Sequence, residues 1–191
     1  MGFEEVFLFF WGMVRYPVRE ASVLFNEPLL VMAFSLALVL AVSWHYKEQK
    51  KLPFLACALA IAFLLGLFFK PLLGEIRPCV YVPGKIPCPL DNSLPSLHAL
   101  LAFTLAIVSL GNRSFPIYLL YSLFIAFSRV YLGVHTISEV AAGLSLAFFA
   151  CVLAELSFRA MKWSVPNAVH IKHDMGRLPH TKTKIELGDA A

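Results

Sequence analysis

The sequence predicts an all-α protein, a polytopic transmembrane helical bundle, and three observations support this fold class. Hydrophobic residues make up 59% of the 191-residue chain, and its mean hydropathy is +0.74. Only 15% of the residues are charged, compared with roughly 25% in an average soluble protein. The apolar residues also fall into runs of the length that membrane helices have. A soluble domain of this size could not bury so much apolar surface, so a membrane protein is the simpler interpretation.

Apolar runs divide the chain into five expected spans, with a shorter helix before them. Residues 3–14 carry Phe and Trp at helical spacing, but a span requires about 20 residues. They therefore predict an interfacial helix on the membrane surface, followed by a connector at 16–28. The expected spans are 28–44, 52–69, 94–110, 115–130 and 136–158. The expected domains are 1–27 (interfacial helix and connector), 28–163 (transmembrane domain) and 164–191 (a polar cytoplasmic tail, disordered by composition).

The connectors differ in their basic residues, and this difference predicts the orientation. The segment 47–51 carries three lysines between the first two spans, and Arg113 lies between the third and fourth. Because cytoplasmic loops are enriched in lysine and arginine, these connectors are expected to face the cytoplasm. The opposite side of the membrane would then be faced by the connectors at 71–93 and 131–135, although these connectors also hold basic residues. We therefore expect an integral protein of the plasma (inner) membrane with a site on its extracytoplasmic face.

The four cysteines form no metal-binding pattern. Cys57 and Cys151 lie within apolar runs, which is typical of small core residues. Cys79 and Cys88 bracket a polar connector. They form either a disulfide or two free thiols, depending on the compartment that the connector faces.

The stretch 128–139 places ionisable residues inside an otherwise apolar part of the chain. Arg129 and His135 are separated by five residues that include Gly133, which predicts a turn between two helices. His135 and Glu139 are four residues apart, so on a helix they share a face. A carboxylate there would bind one imidazole nitrogen and leave the other with its lone pair, as a nucleophile or base. A helix cap with a buried ion pair is the alternative interpretation.

Two further polar clusters are expected at the same membrane surface. Lys70 and Arg77 close the second span, and Ser96 and His98 open the third. Ionisable groups at membrane depth are costly unless they line a wet cavity, so they indicate a site. Taken singly, the basic residues could be snorkelling side chains, Ser96 a helix cap and His98 a satisfied buried histidine. Their convergence with 128–139 on one face favours a shared function.

These residue types are suited to binding a phosphate group. Lys70, Arg77 and Arg129 supply three positive charges, and arginine donates to phosphate oxygens in a bidentate fork. Ser96 supplies a hydroxyl at the expected N-terminus of a helix, where free N–H groups favour an anion.

Two histidines complete a hydrolytic mechanism. His135, oriented by Glu139, would attack phosphorus. His98 would protonate the leaving oxygen and then activate water to cleave the phosphohistidine. No cluster of carboxylates is available in the sequence to hold magnesium or zinc, so no metal and no other cofactor is expected.

Three motifs together resemble the signature of the type 2 phosphatidic acid phosphatase superfamily, which includes membrane lipid phosphatases. They are Lys70-x6-Arg77-Pro78, Pro95-Ser96-x-His98 and Ser128-Arg129-x5-His135-x3-Glu139, and the resemblance covers about residues 28–158. The resemblance implies a helical bundle that hydrolyses phosphomonoesters or diphosphates without a metal, with His135 as nucleophile and His98 as acid and base. The phosphate ligands that it implies are Lys70, Arg77, Ser96 and Arg129.

Two residues depart from the family pattern. Leu97 stands where glycine is common; its backbone N–H can still bind phosphate, but its side chain could narrow the pocket. Glu139 stands where aspartate is usual, which keeps the carboxylate on a stem that is one methylene longer. Segment 3–14 stands, in reduced form, where six-span members have a further helix.

The leading interpretation is a lipid phosphatase that binds a phosphorylated membrane lipid entering from the bilayer. Candidate substrates are polyprenyl diphosphate, phosphatidylglycerol phosphate, phosphatidic acid and lipid A phosphates. A lipid phosphotransferase using the same phosphohistidine is the second interpretation, and a non-catalytic lipid-binding or transport protein is the third. No nucleic-acid partner is expected, and the sequence leaves the oligomeric state open.

Overall fold

The computed structural model describes the backbone of residues 15–175, and the side chains within 15–27 and 29–160. This part of the chain is helical and contains no strand, which confirms the all-α prediction. The predicted interfacial helix at 3–14 lies outside the described residues. The helices are α1 (described from Arg15, Arg15–Leu24), α2 (Pro28–His45), α3 (Leu52–Leu73), α4 (Leu97–Val108), α5 (Phe115–Tyr131) and α6 (Ile137–Met175).

Apolar helices occur at all five predicted positions, but they differ in length. In the described part of the chain, Gln49–Leu73 and Ile137–Ala160 are each long and apolar enough to cross a membrane. A third span is present if one bent span is made of two helices, Arg15–Leu24 and Leu29–His45, which meet at 95°. Helix α4 has only 12 residues, or about 18 Å, against a hydrocarbon core of about 30 Å. The structure therefore supports an integral membrane protein without establishing five full spans.

The prediction of a connector at 16–28 is wrong for most of that segment, because Arg15–Leu24 is helical. After Pro17 the next residue that opposes a helix is Pro28, and Phe25 N–H still donates to the Ala21 carbonyl at 3.0 Å. Pro28 forces the residue before it out of helical geometry, and Glu27 is extended. The chain therefore turns at 25–27, and Pro28 begins α2 in the first helical turn, where proline is tolerated.

Part of the segment 164–191, for which the composition predicts a disordered tail, is helical. Helix α6 continues to Met175, through the first part of the segment 164–191. Extending an existing helix carries no nucleation cost, and this is a physical reason for polar residues to continue a membrane helix. Residues 176–191 lie outside the described part of the chain.

Small residues allow the helices around α4 to approach closely. Helix α4 packs against α3 and α5, and its Ala99 shares a buried cluster with residues of α3 and α6. A Cβ on Gly143 of α6 would lie 3.0 Å from the Ser96 carbonyl oxygen, so α6 passes directly beside the start of α4. Close backbone contact through Gly and Ala is a common packing mode for membrane helices. The small buried residues are Ala58, Ala62 and Gly66 on α3, Ala99, Ala102 and Ala106 on α4, and Ala147, Ala150 and Ala154 on α6.

The connectors between helices meet in two groups. The α2–α3 and α4–α5 connectors are joined because Ser114 Oγ donates to Glu48 Oε2 at 2.7 Å. The long connector at 74–96 meets the α5–α6 turn, where Lys85 N–H donates to the Leu132 carbonyl at 3.0 Å. Lys85 Nζ also donates to the Tyr131 carbonyl at 2.6 Å. This alternation matches the predicted grouping of the connectors.

A disulfide joins Cys79 and Cys88 within the connector at 74–96. Of the two alternatives that the sequence left open, this structure has the crosslinked one. Cys79 is buried against Leu132 and Val134, directly before His135. The crosslink therefore braces the connector against the α5–α6 turn.

Replacing Cys79 and Cys88 together with serine is expected to lower the free energy of unfolding by about 2–3 kcal/mol, because a short crosslinked loop restricts the unfolded chain. The apparent unfolding temperature in detergent, with and without reductant, measures the effect. Reductant should lower the wild type to the level of the double variant and leave that variant unchanged. Cys57→Ser, which removes a free thiol, is the control and should respond to reductant like the wild type. Equal unfolding temperatures for wild type and double variant would contradict the prediction.

Candidate active site

His135 lies in the short turn between α5 and α6, at the end where the connector at 74–96 meets it. Gly133 has φ +77°, a left-handed conformation that glycine adopts without strain. This residue reverses the chain after Tyr131 and delivers His135 to the start of α6. The turn that the sequence predicted at Gly133 is therefore present.

Glu139 orients the His135 imidazole. His135 Nδ1 and Glu139 Oε2 are 2.7 Å apart, and the two side chains are almost completely buried. Because an ionised carboxylate only accepts hydrogen bonds, Nδ1 carries the proton and Nε2 has the lone pair. The glutamate stem, longer than the usual aspartate, reaches the imidazole.

Ser93 is a member of this group that the sequence analysis missed. Its hydroxyl donates to Glu139 Oε2 and lies 3.3 Å from His135 Nδ1. Its backbone N–H donates to the Glu75 carbonyl at 2.8 Å, and the residue is fully buried. Its partners are 42 and 46 residues away along the chain, so no local spacing could have indicated them.

Arg77 connects the His135 group to the long connector. Its Nη1 donates to the Val134 carbonyl at 3.2 Å and contacts His135 Nε2 at 3.0 Å. Its Nε donates to the Asp91 carbonyl at 2.9 Å, and Nη2 donates to Asp91 Oδ1 at 2.7 Å. Arg77 is 6% exposed. The predicted phosphate ligand therefore lies directly against the predicted nucleophile.

Asp91 is the second residue that the sequence analysis missed. Its Oδ2 forms an ion pair with Lys70 Nζ, and its Oδ1 pairs with Arg77. The available signal was charge balance, because Asp91 is an acidic residue between two motifs that are rich in basic ones. The Asp91 carboxylate therefore holds Lys70 and Arg77 close to each other.

The local charges leave Asp91 ionised and His135 neutral. Burial alone would raise the pKa of Asp91, but its contacts with Lys70 and Arg77 outweigh burial and hold that pKa below the usual value. Burial, together with the charge of Arg77, lowers the pKa of His135, although the hydrogen bond to Glu139 opposes this. A neutral imidazole has the free lone pair that a nucleophile requires.

The N-terminus of α4 lies beside this group. The Ser96 N–H donates to the Glu139 carbonyl at 3.3 Å, while the fully buried Ser96 Oγ has no hydrogen-bond partner. The first N–H groups of α4, beginning at Leu97, have no intrahelical acceptor by geometry. A buried, unpartnered hydroxyl beside such groups is suited to an anion. The Leu97 side chain lies against α3, where a Cβ on Gly66 would be 2.5 Å from Leu97 Cδ1.

His98 lies between the polar group and an apolar cavity. It lies in the first turn of α4, two residues after Ser96, whose N–H donates to the Glu139 carbonyl. It also lines a cavity of about 530 Å³ between α2, α3, α4 and α5. The other lining residues are almost all apolar, and the cavity extends along α4 as far as Leu105. A polar group and a lipid-like chain could therefore be bound on either side of His98.

Arg129 is almost completely buried, and part of its guanidinium is bound within the protein. Its Nη1 donates to Asn26 Oδ1 at 3.0 Å, and Nη2 donates to the Phe25 carbonyl at 3.2 Å. Its Nε donates to Ser128 Oγ at 3.2 Å. One N–H on each terminal nitrogen remains after these bonds. The structure therefore brings together Lys70, Arg77, Ser96, His135 and Glu139 and leaves the phosphate contact of Arg129 a prediction.

The described residues offer no group of three or more His, Cys, Asp or Glu side chains that could hold a metal ion. The acidic residues of the site are Asp91 and Glu139, which pair with Lys70 and Arg77 and with His135 respectively. The cofactor prediction is therefore left to experiment.

An apolar helical fold with basic side chains around a carboxylate-bound histidine defines the class of this protein, an integral membrane protein with a buried polar site. The chain belongs to the PAP2 superfamily, since the model of that family matches residues 51–163. This match confirms the family resemblance, and the protein is accordingly a hydrolase of lipid metabolism.

Three named proteins are similar to the chain in sequence. It is 30% identical to YbjG of Escherichia coli K12, provisionally named an undecaprenyl-diphosphatase, over 149 residues that cover 73% of both chains. It is 28% identical to the bacitracin transport permease protein BcrC of Bacillus licheniformis, covering 75% of this chain and 71% of that one. It is 32% identical to an undecaprenyl-diphosphatase of Sulfolobus acidocaldarius, covering 61% of this chain and 60% of that one.

Two solved structures share the fold. One is the PAP2-type phosphatidylglycerolphosphate phosphatase of Bacillus subtilis, with a TM-score of 0.52 and 21% identity, covering 75% of this chain and 84% of that one. The other is LpxE of Aquifex aeolicus, with a TM-score of 0.52 and 25% identity, covering 69% of this chain and 90% of that one.

Proposed function

We propose that the protein hydrolyses a phosphomonoester or diphosphate of a membrane lipid through a phosphohistidine on His135, without a metal. The observation that carries the proposal is the setting of the imidazole. Its Nδ1 is bound to Glu139, and its Nε2 faces Arg77. A fixed tautomer with its lone pair beside a phosphate-binding cation is an arrangement suited to attack on phosphorus.

The reaction has two steps, formation of the phosphohistidine and its hydrolysis. In the first, His135 Nε2 forms a bond to phosphorus, the bond to the leaving oxygen breaks, and protonated His98 gives that oxygen its proton. In the second, neutral His98 takes a proton from water, whose oxygen attacks phosphorus and breaks the P–N bond. Inorganic phosphate leaves, and both imidazoles regain their starting forms.

Fixed positive charge lowers the barrier of both steps. Lys70 and Arg77 would bind the phosphoryl oxygens, together with Ser96 Oγ and the first N–H groups of α4. Such donors stabilise the charge that develops in phosphoryl transfer, and burial strengthens them. Arg129 would add its two remaining N–H groups if the phosphate lies between α4 and α5.

A polyprenyl diphosphate is the substrate that we favour, with phosphatidylglycerol phosphate and phosphatidic acid as alternatives. Two of the similar sequences are named undecaprenyl-diphosphatases. The cavity of about 530 Å³ beside His98 is lined almost wholly by apolar side chains, as a long hydrocarbon chain would require. The chain would enter from the bilayer while the phosphate reaches the polar group.

We infer that the site faces the outside of the plasma membrane. The Cys79–Cys88 disulfide lies in the connector that carries Arg77, and disulfides persist in oxidising compartments. The opposite end of the bundle carries the lysines of segment 47–51, as the positive-inside rule expects of a cytoplasmic end.

The purified protein in detergent is expected to release inorganic phosphate from lipid phosphates in the presence of EDTA, and vanadate should inhibit this release. Rates on a polyprenyl diphosphate, phosphatidylglycerol phosphate and phosphatidic acid compare the substrates. Product analysis separates hydrolysis, which gives free phosphate, from phosphotransfer, which gives a newly phosphorylated lipid. A strict requirement for a divalent metal would contradict the mechanism.

A further inference from the structure

Asp91 holds the two cations that the proposed mechanism assigns to the substrate. Its carboxylate pairs with Lys70 through one oxygen and with Arg77 through the other. A phosphoryl group and Asp91 cannot occupy both cations at once. The carboxylate therefore occupies the position where a phosphate is expected.

Arg77 has little capacity left for a substrate while Asp91 is in place. Four of its five N–H groups are directed to Asp91, to the Val134 carbonyl and to His135 Nε2. The 3.0 Å contact between Arg77 Nη1 and His135 Nε2 also leaves no room for phosphorus between them. Attack on phosphorus therefore requires the contact between Arg77 and His135 to open. Binding of the phosphoryl oxygens also requires an acceptor to leave Arg77, and the Asp91 carboxylate is the one best placed to do so.

The exposure of the three side chains supports that choice. Asp91 is 52% exposed, whereas Lys70 is 13% and Arg77 is 6% exposed. On release, Asp91 gains full hydration by rotating its side chain, but the two cations remain shielded from water and require another anion. The chain after Asp91 is fixed, because Asn92 donates to the Lys70 carbonyl at 3.0 Å and Ser93 N–H to the Glu75 carbonyl at 2.8 Å.

We propose that Asp91 is a specificity-determining residue, a built-in monoanion that excludes phosphodiester headgroups and yields only to phosphates of higher charge. This rests on the proposed function of the site. The bilayer presents phosphodiester lipids, whose phosphate has a single charge, in large excess over any substrate. A phosphodiester and a carboxylate each carry one negative charge, so a phosphodiester that replaces Asp91 is attracted no more strongly by Lys70 and Arg77. A terminal phosphate, with a charge of about −1.5 to −2, or a diphosphate, binds two cations more strongly and displaces Asp91.

The test compares one alkyl phosphonate, at a pH above its second pKa so that it is a dianion, with its methyl ester, which is a monoanion with the same chain. Their dissociation constants are measured by isothermal titration calorimetry on the full-length protein in detergent, so the result does not depend on turnover. Asp91→Asn removes the charge and keeps the shape. Glu75→Gln is the matched control, since it neutralises an exposed carboxylate of the same connector that forms no ion pair with Lys70 or Arg77.

The wild type and Glu75→Gln are expected to prefer the dianion strongly. In Asp91→Asn both ligands should bind about tenfold more tightly, because the carboxylate that each must displace is gone, and the ratio of their dissociation constants should change little. Weaker binding of both ligands would overturn the proposal and leave Asp91 as a residue that only positions Arg77. Equal affinity of the wild type for the two ligands would also overturn it, even if Asp91→Asn does not fold. Phosphonate binding without phosphatase activity would instead refute the proposed function alone.

Discussion

Replacing His135 with alanine is expected to lower phosphate release by about 10⁴-fold or more and to abolish the phosphoenzyme. The imidazole is fixed at both nitrogens, by Glu139 at 2.7 Å and by Arg77 at 3.0 Å. The hydroxyl of Ser93 is nearby, but its proton acceptor is the Glu139 carboxylate, which is a weaker base than an imidazole. A single-turnover reaction with a lipid carrying labelled phosphate, followed by denaturation in alkali, measures label retained on the protein.

His98→Ala separates the two steps of the mechanism. This variant keeps the nucleophile but lacks the group that activates water, so it should form the phosphoenzyme slowly and retain it. His45→Ala is the matched control, because His45 is an exposed histidine at the end of α2, and it should behave like the wild type. Label on the His135→Ala protein at the wild-type level would assign the nucleophile to another residue.

The helices were predictable because apolar runs and prolines are local signals. The starts of α2, α3 and α5 each have proline in the first turn, and their predicted bounds differ from the structure chiefly at the C-terminal ends. The helical conformation of Arg15–Leu24 was missed because its charged residues and Pro17 are typical of a connector. The length of α4 was overestimated, with 94–110 predicted against Leu97–Val108 observed, because apolar composition does not show where a helix begins or ends.

The site was predictable only where its contacts follow from spacing or motif. The i, i+4 spacing indicated the contact between His135 and Glu139, and the motifs indicated that Arg77 lies near them. Asp91 and Ser93 were missed because their partners are 14 to 46 residues away. No hydrophobic period or cap reports a contact between a connector and a distant helix. These contacts depend on the tertiary arrangement, which brings the connector at 74–96 over the α5–α6 turn.

Arg129 is a motif residue whose structural contacts could not be predicted from the sequence. Its motif predicts a phosphate ligand, and its terminal nitrogens also bind Phe25 and Asn26, 104 and 103 residues away. Arg129 is 1% exposed, and its guanidinium holds the turn between α1 and α2 against α5. A structural contact of this kind leaves some of its N–H groups for a ligand, so the two functions are compatible.

Replacing Arg77 with lysine is expected to lower kcat/KM by about 10³-fold, although the charge is kept. The guanidinium bonds the Asp91 carbonyl, the Val134 carbonyl and His135 Nε2 in one plane, and an ammonium group cannot reach all three. The loss should therefore appear mainly in kcat, because phosphorus and Nε2 are no longer aligned. Steady-state kinetics on a lipid phosphate in detergent measures the change.

A matched pair of variants distinguishes this geometric role from a general loss of positive charge. Lys85→Ala removes a basic residue from the same connector, one that contacts Tyr131 rather than the site, and its kcat/KM should stay near the wild-type value. Arg77→Ala should be at least as impaired as Arg77→Lys, and added methylguanidinium should restore part of its kcat, since the ion can occupy the vacated planar site. If Arg77→Lys retained wild-type kcat, a point charge would suffice at this position, and the bidentate alignment of phosphorus with His135 would have to be abandoned.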